Sequence, residues 1–477
     1  MTPTAEQLAI IEAATKTSDN LLVSALAGAA KTSTLVMVAE ALPRVAALCL
    51  AFNKRIATEM QERLPPNCVA MTLNSLGHKV WGQTVSKGLR VNKDKMYGIL
   101  SDLVKDLKGN DKEEAFATFS DTLQAIEWGK IVGYVPTGRF PVAKRLMDDD
   151  TFFAELETEP TDLQQYLIKT ATYESIKQGY EGIIDFNDQI LLPTVFPCSF
   201  PQYPLVLVDE AQDLSPLNHA TLKKLVKKRL IAVGDRCQSI YGFRGADEAS
   251  MDTLQKTFNM VELTLSISFR CPRSIIEEAR WRAPTMQWPE WAIEGTVKRL
   301  VMWGTEDLPT VATILCRNNA PIFKMAIELL KNGRYAEIVG NEIGKNLIKT
   351  LKKLGPSYTK QAQVLDAIDA WEKAKLAKSR VKGKVMDTAE CLRVFARAGA
   401  TLLDAIGYAE HVLSATGSIQ MMTGHKAKGL EFQNVFILDS GLINRADPQD
   451  ENLLYVMQTR SKESLTYIHT EGFEGKE

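Results

Sequence analysis

Two acidic residues that could bind a metal ion and activate water directly follow a short apolar run. Residues 205–208 (Leu-Val-Leu-Val) lead into Asp209 and Glu210, and the acidic segment ends at Asp213. Asp209 is suited to hold Mg²⁺, and Glu210 is suited to orient or deprotonate an attacking water. An acidic surface turn is the alternative, but a buried strand followed at once by such a cluster is uncommon by chance. The residues therefore predict a metal-assisted hydrolytic site.

A lysine and a threonine at a predicted strand-to-helix junction could bind the phosphates that such a site would act on. The junction reads Ala25-Leu26-Ala27-Gly28-Ala29-Ala30-Lys31-Thr32-Ser33. A phosphate-binding loop needs backbone N–H groups at a helix N-terminus, a lysine for the β- and γ-phosphates and a hydroxyl for Mg²⁺. Ala25 and Ala30 stand where the GxxxxGK[ST] pattern has glycine, and alanine tolerates a left-handed backbone less well. We expect Lys31 and residues 27–33 around it to bind phosphate, with Thr32 and Asp209 as the Mg²⁺ ligands.

Short apolar runs followed by turn residues predict the sheets that position these groups. The runs are residues 21–24, 46–50, 205–208 and 230–233, and later 312–316 and 435–438. Buried parallel strands have this pattern because helices cover both faces of the sheet. Ligands of open α/β sheets bind at the carboxyl ends of the strands, so Lys31 and Asp209 should face the same crevice. The sequence predicts an α/β fold with two parallel sheets.

Two segments outside the strand pattern predict helical insertions. The first lies between residues 81 and 183, where 96–107 and 162–178 have helical spacing of apolar residues. The second lies at about 340–414. Its residues 345–384 contain ten lysines and one arginine against three acidic residues, a local net charge of +8. This basic segment is either a solvated helical face or a surface that binds the phosphates of duplex DNA, with affinity from the release of counterions.

The composition of the whole chain restricts its class without indicating a function. At 477 residues the chain is too long for one ordinary core, and its net charge of −1 neither supports nor excludes binding to nucleic acid. Its seven cysteines show no CxxC spacing, which favours a reducing compartment. No signal-like start or bilayer-length apolar run is present in the sequence. We expect a cytoplasmic protein without a membrane partner, in the host cytoplasm if phage-encoded, with the nucleus as the eukaryotic alternative.

Four motifs between residues 209 and 462 carry a family resemblance. Residues 209–213 (Asp-Glu-Ala-Gln-Asp) look like motif II of the UvrD/Rep helicases of superfamily 1. Residues 234–246 are similar to their motif III, written GDxxQSIYxFRGA, and this long match is highly specific. Residues 423–432 resemble motif V, and residues 453–462 resemble motif VI. The motifs occur in family order. The short insertions and the uninterrupted Ala-Phe-Asn-Lys at residues 51–54 resemble compact phage-type relatives and the helicase region of F-box DNA helicases more than the longer bacterial repair enzymes.

The resemblance implies that the chain binds ATP with Mg²⁺ and hydrolyses it. It implies that Gln7 reads the adenine and that Phe269, where the family has tyrosine, stacks on the base. Glu431 would contact the ribose, and Gly429 belongs to the same nucleotide-binding motif.

The resemblance also implies the residues that stabilise the transferred phosphoryl group. Arg270 would reach the γ-phosphate, Gln238 would sense it, and Arg460 would act as an arginine finger, which is effective because positioned positive charge accelerates phosphoryl transfer. Outside their motifs, both arginines would be interpreted as surface or salt-bridged residues. The candidate catalytic residues are Lys31, Asp209, Glu210, Gln238, Arg270 and Arg460.

A track for single-stranded DNA is implied by further segments. Residues 51–54 resemble motif Ia, and residues 72–75 resemble motif Ib with Asn74 where many relatives have histidine. Aromatic side chains stack on any base and therefore suit a sequence-tolerant track, with core packing as the alternative. Thr72, Thr423 and His425 are expected to contact phosphate or backbone. The candidate DNA-binding residues are Phe52, Asn53, Lys54, Thr72, Tyr241, Phe243, Arg244, Thr423 and His425.

The family pattern predicts four domains. The first RecA-like motor domain (1A) would comprise residues 1–85 and 181–270, and its helical insertion (1B) residues 86–180. The second motor domain (2A) would comprise residues 271–339 and 415–477, and its basic insertion (2B) residues 340–414.

The predicted function is ATP-dependent translocation along single-stranded DNA and unwinding of duplex DNA. The resemblance implies that movement is 3′→5′ and that the protein acts in replication, repair or recombination. Its partners would be single-stranded DNA and single-strand/duplex junctions, and the protein a monomer or weak oligomer. One alternative is a translocase that strips proteins from single strands but unwinds little. Another, motivated by Ala25 and Ala30, is a catalytically dead DNA-binding module. Protein partners stay open.

Overall fold

The computed structural model describes residues 2–86, 88–242, 246, 249–340 and 342–475. The chain divides into two units. The first comprises Met1–Ala25 and Ala30–Leu265, and the second comprises Leu26–Ala29 and Ser266–Glu477. Each unit contains one six-stranded parallel sheet among its described residues. The predicted α/β fold with two parallel sheets is therefore confirmed.

The sheet of the first unit contains all four strands predicted there. The strands of the unit are β1 (Leu21–Ala25), β2 (Ala47–Leu50), β3 (Cys68–Met71), β4 (Arg90–Val91), β5 (Ile183–Ile184), β6 (Tyr203–Val208), β7 (Val226–Gly234) and β8 (Val261–Leu265). The large sheet has the order β3-β2-β6-β7-β1-β8, and β4 pairs only with β5. Its edge strands β3 and β8 were not predicted, because edge strands have shorter or more polar patterns than central ones.

Helices surround this sheet and form the first insertion. They are α1 (Ala5–Lys16), α2 (Lys31–Ala41), α3 (Lys54–Arg63), α4 (Leu73–Val85), α5 (Lys95–Asp106), α6 (Gly109–Val132), α7 (Asp149–Glu155), α8 (Asp162–Tyr180), α9 (Asp188–Val195), α10 (Pro216–Leu225) and α11 (Ser250–Phe258). The predicted helices at 96–107 and 162–178 correspond to α5 and α8. Together with α6 they build a core of their own around Ile99, Ile126 and Ile168.

A buried ion cluster links the helical insertion of the first unit to the segment that follows it. The Nζ atom of Lys95 lies 2.6 Å from Asp188 Oδ2, and that of Lys130 lies 2.7 Å from Asp188 Oδ1. Lys130 also pairs with Asp185. Both lysine side chains and that of Asp188 are almost completely buried. Buried charges are tolerated only when they are paired in this way.

The second unit repeats the α/β pattern around its own sheet. Its elements are α12 (Arg273–Ala279), β9 (Thr296–Arg299), β10 (Ala312–Cys316), α13 (Asn319–Lys331), β11 (Ala336–Ile338), α14 (Glu342–Leu351), α15 (Gln361–Leu376), α16 (Lys382–Ala398), α17 (Leu402–Ser414), β12 (Ile419–Thr423), α18 (Gly424–Ala427), β13 (Phe432–Leu438), α19 (Pro448–Gln458) and β14 (Ser461–Ile468). The sheet has the order β11-β12-β10-β13-β14-β9. The predicted strands at 312–316 and 435–438 are confirmed as β10 and β13.

The second insertion shares its core with the sheet of the second unit. One cluster of buried side chains joins Ile314 of β10, Phe323 of α13, Phe395 of α16 and Leu413 of α17. The four predicted domain ranges stay a prediction. Across the described residues, we find no helix with the length and apolarity needed to cross a bilayer.

We expect Asp188→Ala to destabilise the protein strongly, because it leaves Lys95 and Lys130 buried without their shared partner. The expected loss is about 3–5 kcal/mol of unfolding free energy, measured by urea denaturation followed by circular dichroism. Asp102→Ala is the matched control, because Asp102 pairs with Lys105 at 2.8 Å on the exposed surface of α5 and should change nothing measurable. Equal stability of the two variants would contradict the structural role of the cluster.

Candidate functional site

The predicted phosphate loop joins β1 to α2 through two left-handed residues. Ala30 has φ 57° and ψ 41° directly before Lys31, which begins α2, and Gly28 has φ 74°. A left-handed backbone costs a non-glycine residue roughly 1–2 kcal/mol. Ala30 therefore adopts the conformation that glycine provides at this position of the phosphate-loop pattern, and it does so at a cost in stability.

Lys31 and Thr32 contact the acidic pair predicted to work with them. The Lys31 Nζ atom lies 2.9 Å from Glu210 Oε2, and the Thr32 hydroxyl donates to Asp209 Oδ2 at 2.5 Å. Asp209 lies just after β6 and is only 3% exposed. The structure thus brings together four predicted site residues at the carboxyl edge of the first sheet.

The electrostatics of this cluster reflect burial of several charges at one place. Burial, reinforced by the neighbouring Glu210 carboxylate, raises the pKa of Asp209 to about 6. Burial also raises the pKa of Asp235 above its usual range. For Lys31, burial favours the neutral amine, but the carboxylates of Glu210, Asp235 and Asp209 outweigh it and raise its pKa. An excess of carboxylate around one lysine is a suitable environment for a further cation.

Gln212 links the acidic pair to the predicted γ-phosphate sensor, and it was missed from the sequence. Its Nε2 donates to Glu210 Oε2 at 2.6 Å, and its Oε1 accepts the backbone N–H of Asp235 at 3.0 Å. Asp235 in turn accepts a 2.6 Å hydrogen bond from Gln238 Nε2. Gln212 lies within motif II, so its position was the available signal. Through Asp235, it connects Glu210 with Gln238 by hydrogen bonds that are partly or fully buried.

Thr32 and Asp209 fit a Mg²⁺ site in which phosphate and water supply the other ligands. No group of three or more His, Cys, Asp or Glu side chains with metal-binding geometry occurs in the described part of the chain. Mg²⁺ bound at nucleotide sites needs only one or two protein oxygens, and the hydroxyl and carboxylate oxygens here are of the right chemical type.

Other predicted nucleotide-binding residues of the first unit have structural partners. Gln7 is 3% exposed, donates to the Thr34 hydroxyl at 3.0 Å and completes the N-terminal capping box of α1. Ser33 accepts a hydrogen bond from Arg63 at 2.9 Å. The Gln7 amide is therefore fixed next to α2.

In the second unit, two predicted site residues form an ion pair. Arg270 Nε lies 2.6 Å from Glu431 Oε1, and Lys462 Nζ lies 3.2 Å from Glu431 Oε2. Burial favours the neutral acid, but Arg270 and Lys462 outweigh it and lower the pKa of Glu431. The Phe269 ring lies near that of Trp291, with centroids 6.3 Å apart, and Gly429 has a φ of 81°.

Arg460, the predicted arginine finger, is buried in this structure. It is 1% exposed, its Nε donates to the Val456 carbonyl at 3.0 Å, and its Nη1 donates to the Leu430 carbonyl at 3.3 Å. Both carbonyls belong to the segments of motifs V and VI. An arginine in this position can reach a phosphate only after its side chain rearranges.

A cavity of about 190 Å³ in the first unit is lined by two predicted DNA-binding residues. Phe52 and Tyr241 line it with nearly parallel rings, 4° apart in orientation and 6.4 Å between centroids. Asn74 and Phe186 also line the cavity, and Asn74 Nδ2 donates to the Phe186 carbonyl at 3.0 Å. Phe186 was missed because it lies in a loop far along the chain from motifs Ia and Ib.

The remaining predicted DNA-binding residues lie at helix starts. Asn53 and Thr72 are the N-caps of α3 and α4, and Lys54 begins α3. Thr423, at the end of β12, and His425 flank the start of α18. The predictions for Phe243 and Arg244 lie outside the described residues.

Comparison with known proteins assigns the chain to a family. Residues 4–259 match the family described as UvrD/REP helicase N-terminal domain, and residues 419–468 match the UvrD-like helicase C-terminal domain. The chain therefore belongs to the UvrD/Rep helicase family, as its motifs predicted.

Several named proteins are similar to this chain at low sequence identity. F-box DNA helicase protein 1 of Schizosaccharomyces pombe is 24% identical over 97% of this chain and 57% of its own length. F-box DNA helicase 1 of Gallus gallus is 25% identical over 97% of this chain and 48% of its own length. DNA helicase II of Rickettsia typhi is 25% identical over 52% of this chain and 39% of its own length. The chain spans about half the length of the F-box relatives.

We expect Ala30→Gly to stabilise the nucleotide-free protein by about 1 kcal/mol, because glycine adopts the left-handed backbone without a Cβ penalty. Thermal unfolding followed by circular dichroism measures the change. Ala29→Gly is the matched control: Ala29 lies in the same loop without a positive φ, so glycine there should destabilise the protein. A lower stability of Ala30→Gly would contradict the inferred strain.

Proposed function

We propose that the protein is an ATP-dependent DNA helicase that translocates along single-stranded DNA. The observation that carries the proposal is the cluster of Lys31, Thr32, Asp209 and Glu210 at the carboxyl edge of the first sheet. Its residue types are those of phosphate binding, metal binding and water activation. Membership of the UvrD/Rep family and the names of the relatives support DNA as the substrate.

The contacts of Lys31 indicate how nucleotide binding would prepare hydrolysis. Lys31 is paired with Glu210 at 2.9 Å, so a β/γ-phosphate that takes over the lysine releases the Glu210 carboxylate. Glu210 can then orient the attacking water or accept its proton. Thr32 and Asp209 would hold Mg²⁺, which neutralises charge on the phosphates. The exchange of one lysine partner for another thus couples substrate binding to activation of the base.

In the second unit, Arg270 and Arg460 are the proposed phosphate-stabilising residues. Arg270 is held by Glu431, and Arg460 by backbone carbonyls. Phe269 is the proposed base-stacking residue, and Gln7 of the first unit is the proposed adenine contact. Glu431 is the proposed ribose contact, and Gly429 is a proposed nucleotide contact two residues before it. Each arginine has to exchange its present partner for phosphate.

The proposed DNA contacts combine a stacking site with phosphate-binding groups. The parallel rings of Phe52 and Tyr241 at an open cavity suit contact with nucleobases of any sequence. Thr72, Thr423 and His425 are the proposed phosphate contacts. We further propose 3′→5′ movement and the four-domain division given above, both on the family resemblance.

We expect Lys31→Ala and Glu210→Gln each to reduce DNA-stimulated ATP hydrolysis by roughly 10²-fold or more, because they remove the phosphate ligand and the base. Steady-state phosphate release with and without an oligonucleotide measures this. Lys16→Ala and Glu12→Gln are the controls, since this pair lies on the exposed face of α1 and should leave hydrolysis unchanged. Full activity in both site variants would refute the proposed function.

We expect Phe52→Ala to weaken binding of a single-stranded oligonucleotide roughly tenfold, because base–aromatic stacking contributes about 1–3 kcal/mol per base. Fluorescence anisotropy of labelled oligothymidine at fixed salt measures the affinity. Phe116→Ala is the matched control, because Phe116 on α6 is 59% exposed and Phe52 is 55% exposed. The stacking role fails if both variants bind equally well.

A further inference from the structure

Two arginine–tryptophan pairs lie on the surface of the second unit beyond the end of α12. The Arg445 guanidinium carbon lies 4.2 Å from the centre of the Trp281 ring, and that of Arg280 lies 4.6 Å from the centre of the Trp288 ring. Trp281 is 39% exposed, and Arg445 is exposed as well. We call Arg445 and Trp281 the arginine–tryptophan platform. Neither residue belongs to the sites described above.

The Trp281 ring is held in one orientation by a chain of hydrogen bonds. Its Nε1–H donates to Gln458 Oε1 at 3.1 Å, and Gln458 Nε2 donates to the Tyr467 hydroxyl at 2.7 Å. That hydroxyl donates to Glu278 Oε1 at 2.8 Å. Gln458 is 1% exposed. The ring is therefore anchored at its polar edge, and its orientation does not depend on Arg445.

Arg445 extends from a loop whose backbone is fixed on both sides. The Asn444 N–H donates to Asp450 Oδ2, and the Asp447 N–H donates to the Asn444 carbonyl, both at 3.0 Å. Within the described part of the chain, Arg445 forms no ion pair. Its charge is therefore available to a ligand, although the position of its backbone is set.

Another arginine of the same unit shows what a purely structural contact looks like. The Arg299 guanidinium lies 4.7 Å from the centre of the Tyr467 ring, but Arg299 is paired with Glu278 at 2.5 Å and Tyr467 is 7% exposed. In that pair the charge is neutralised and the ring is covered. Neither condition applies to Arg445 and Trp281.

The loop that carries Arg445 begins at the edge of the sheet that carries a proposed phosphate contact. Cys316 of β10 is in register with Thr423 of β12 on one side and with Leu438 of β13 on the other. These strands end together, so Thr423 and the start of the loop that carries Arg445 are about 10 Å apart at the same edge.

We propose that Arg445 and Trp281 form a stacking site for a nucleobase of single-stranded DNA, which extends the proposed function and rests on it. A planar guanidinium stacks on an aromatic ring with one face and on a base with the other, while its N–H groups donate to phosphate from the edge. Surfaces that bind single strands combine aromatic stacking with positive charge in this way. The site is sequence-tolerant, because every base has a π-face.

Binding of fluorescein-labelled oligothymidine to the full chain tests the site. Arg445→Ala and Trp281→Ala are expected to weaken binding roughly five- to hundredfold, measured by anisotropy without nucleotide at fixed salt. Arg445→Lys keeps the charge but loses the planar group, so it is expected to lose most of the same affinity. Arg299→Ala is the matched control and is expected to bind like the unmodified protein.

The outcomes separate this site from the proposed function. Unchanged affinity in the Arg445→Ala and Trp281→Ala variants would overturn the site, and full affinity in Arg445→Lys would overturn stacking as its basis. If Trp281→Ala unfolds at a lower temperature than the unmodified protein, the binding of the two Arg445 variants decides whether the site exists. Because binding is measured without ATP, a failure of hydrolysis in the unmodified protein would refute the helicase proposal while leaving this measurement intact.

Discussion

The ion pair between Lys31 and Glu210, with Asp209 and Thr32 beside it, is the constraint on which the first unit depends. An unpaired buried charge costs several kcal/mol, so the loop after β1 and the turn after β6 must hold their side chains together. Both do so with strained backbone, because Ala30 has a φ of 57° and Glu210 has a φ of 51°. Left-handed conformations of this kind persist only where surrounding contacts outweigh their cost.

The same principle applies within the second unit, although different partners are used there. Arg270 is paired with Glu431, whereas Arg460 is satisfied by the carbonyls of Val456 and Leu430. In both units the charged groups suited to phosphate chemistry already have ion-pair or hydrogen-bond partners within the protein. The free energy with which a ligand displaces these groups is therefore the difference between its own contacts and the protein contacts that it replaces.

Much of the fold could be predicted from the sequence, because central parallel strands are continuous apolar runs. The contact of Lys31 with Glu210 followed from the rule that strand ends converge at one sheet edge. Strand β9 (Thr-Val-Lys-Arg) was missed because an exposed edge strand has no such pattern. The position of Gln212 within motif II was a signal, but its contacts and those of Phe186 and Trp281 could not be predicted, since each depends on tertiary contacts with distant segments or on side-chain geometry.

The basic insertion shows why a charge count does not define a binding surface. The net charge of +8 over residues 345–384 predicted either a solvated face or a surface that binds phosphates, but Lys352 pairs with Glu410, and Asp369 and Glu372 pair with Arg393 of α16. Exposed lysines are spread along the whole segment, from Lys345 and Lys349 to Lys382. Because the insertion shares its hydrophobic core with the sheet, it cannot turn independently without exposing that core. A phosphate bound by these lysines would therefore be held by the second unit as a whole.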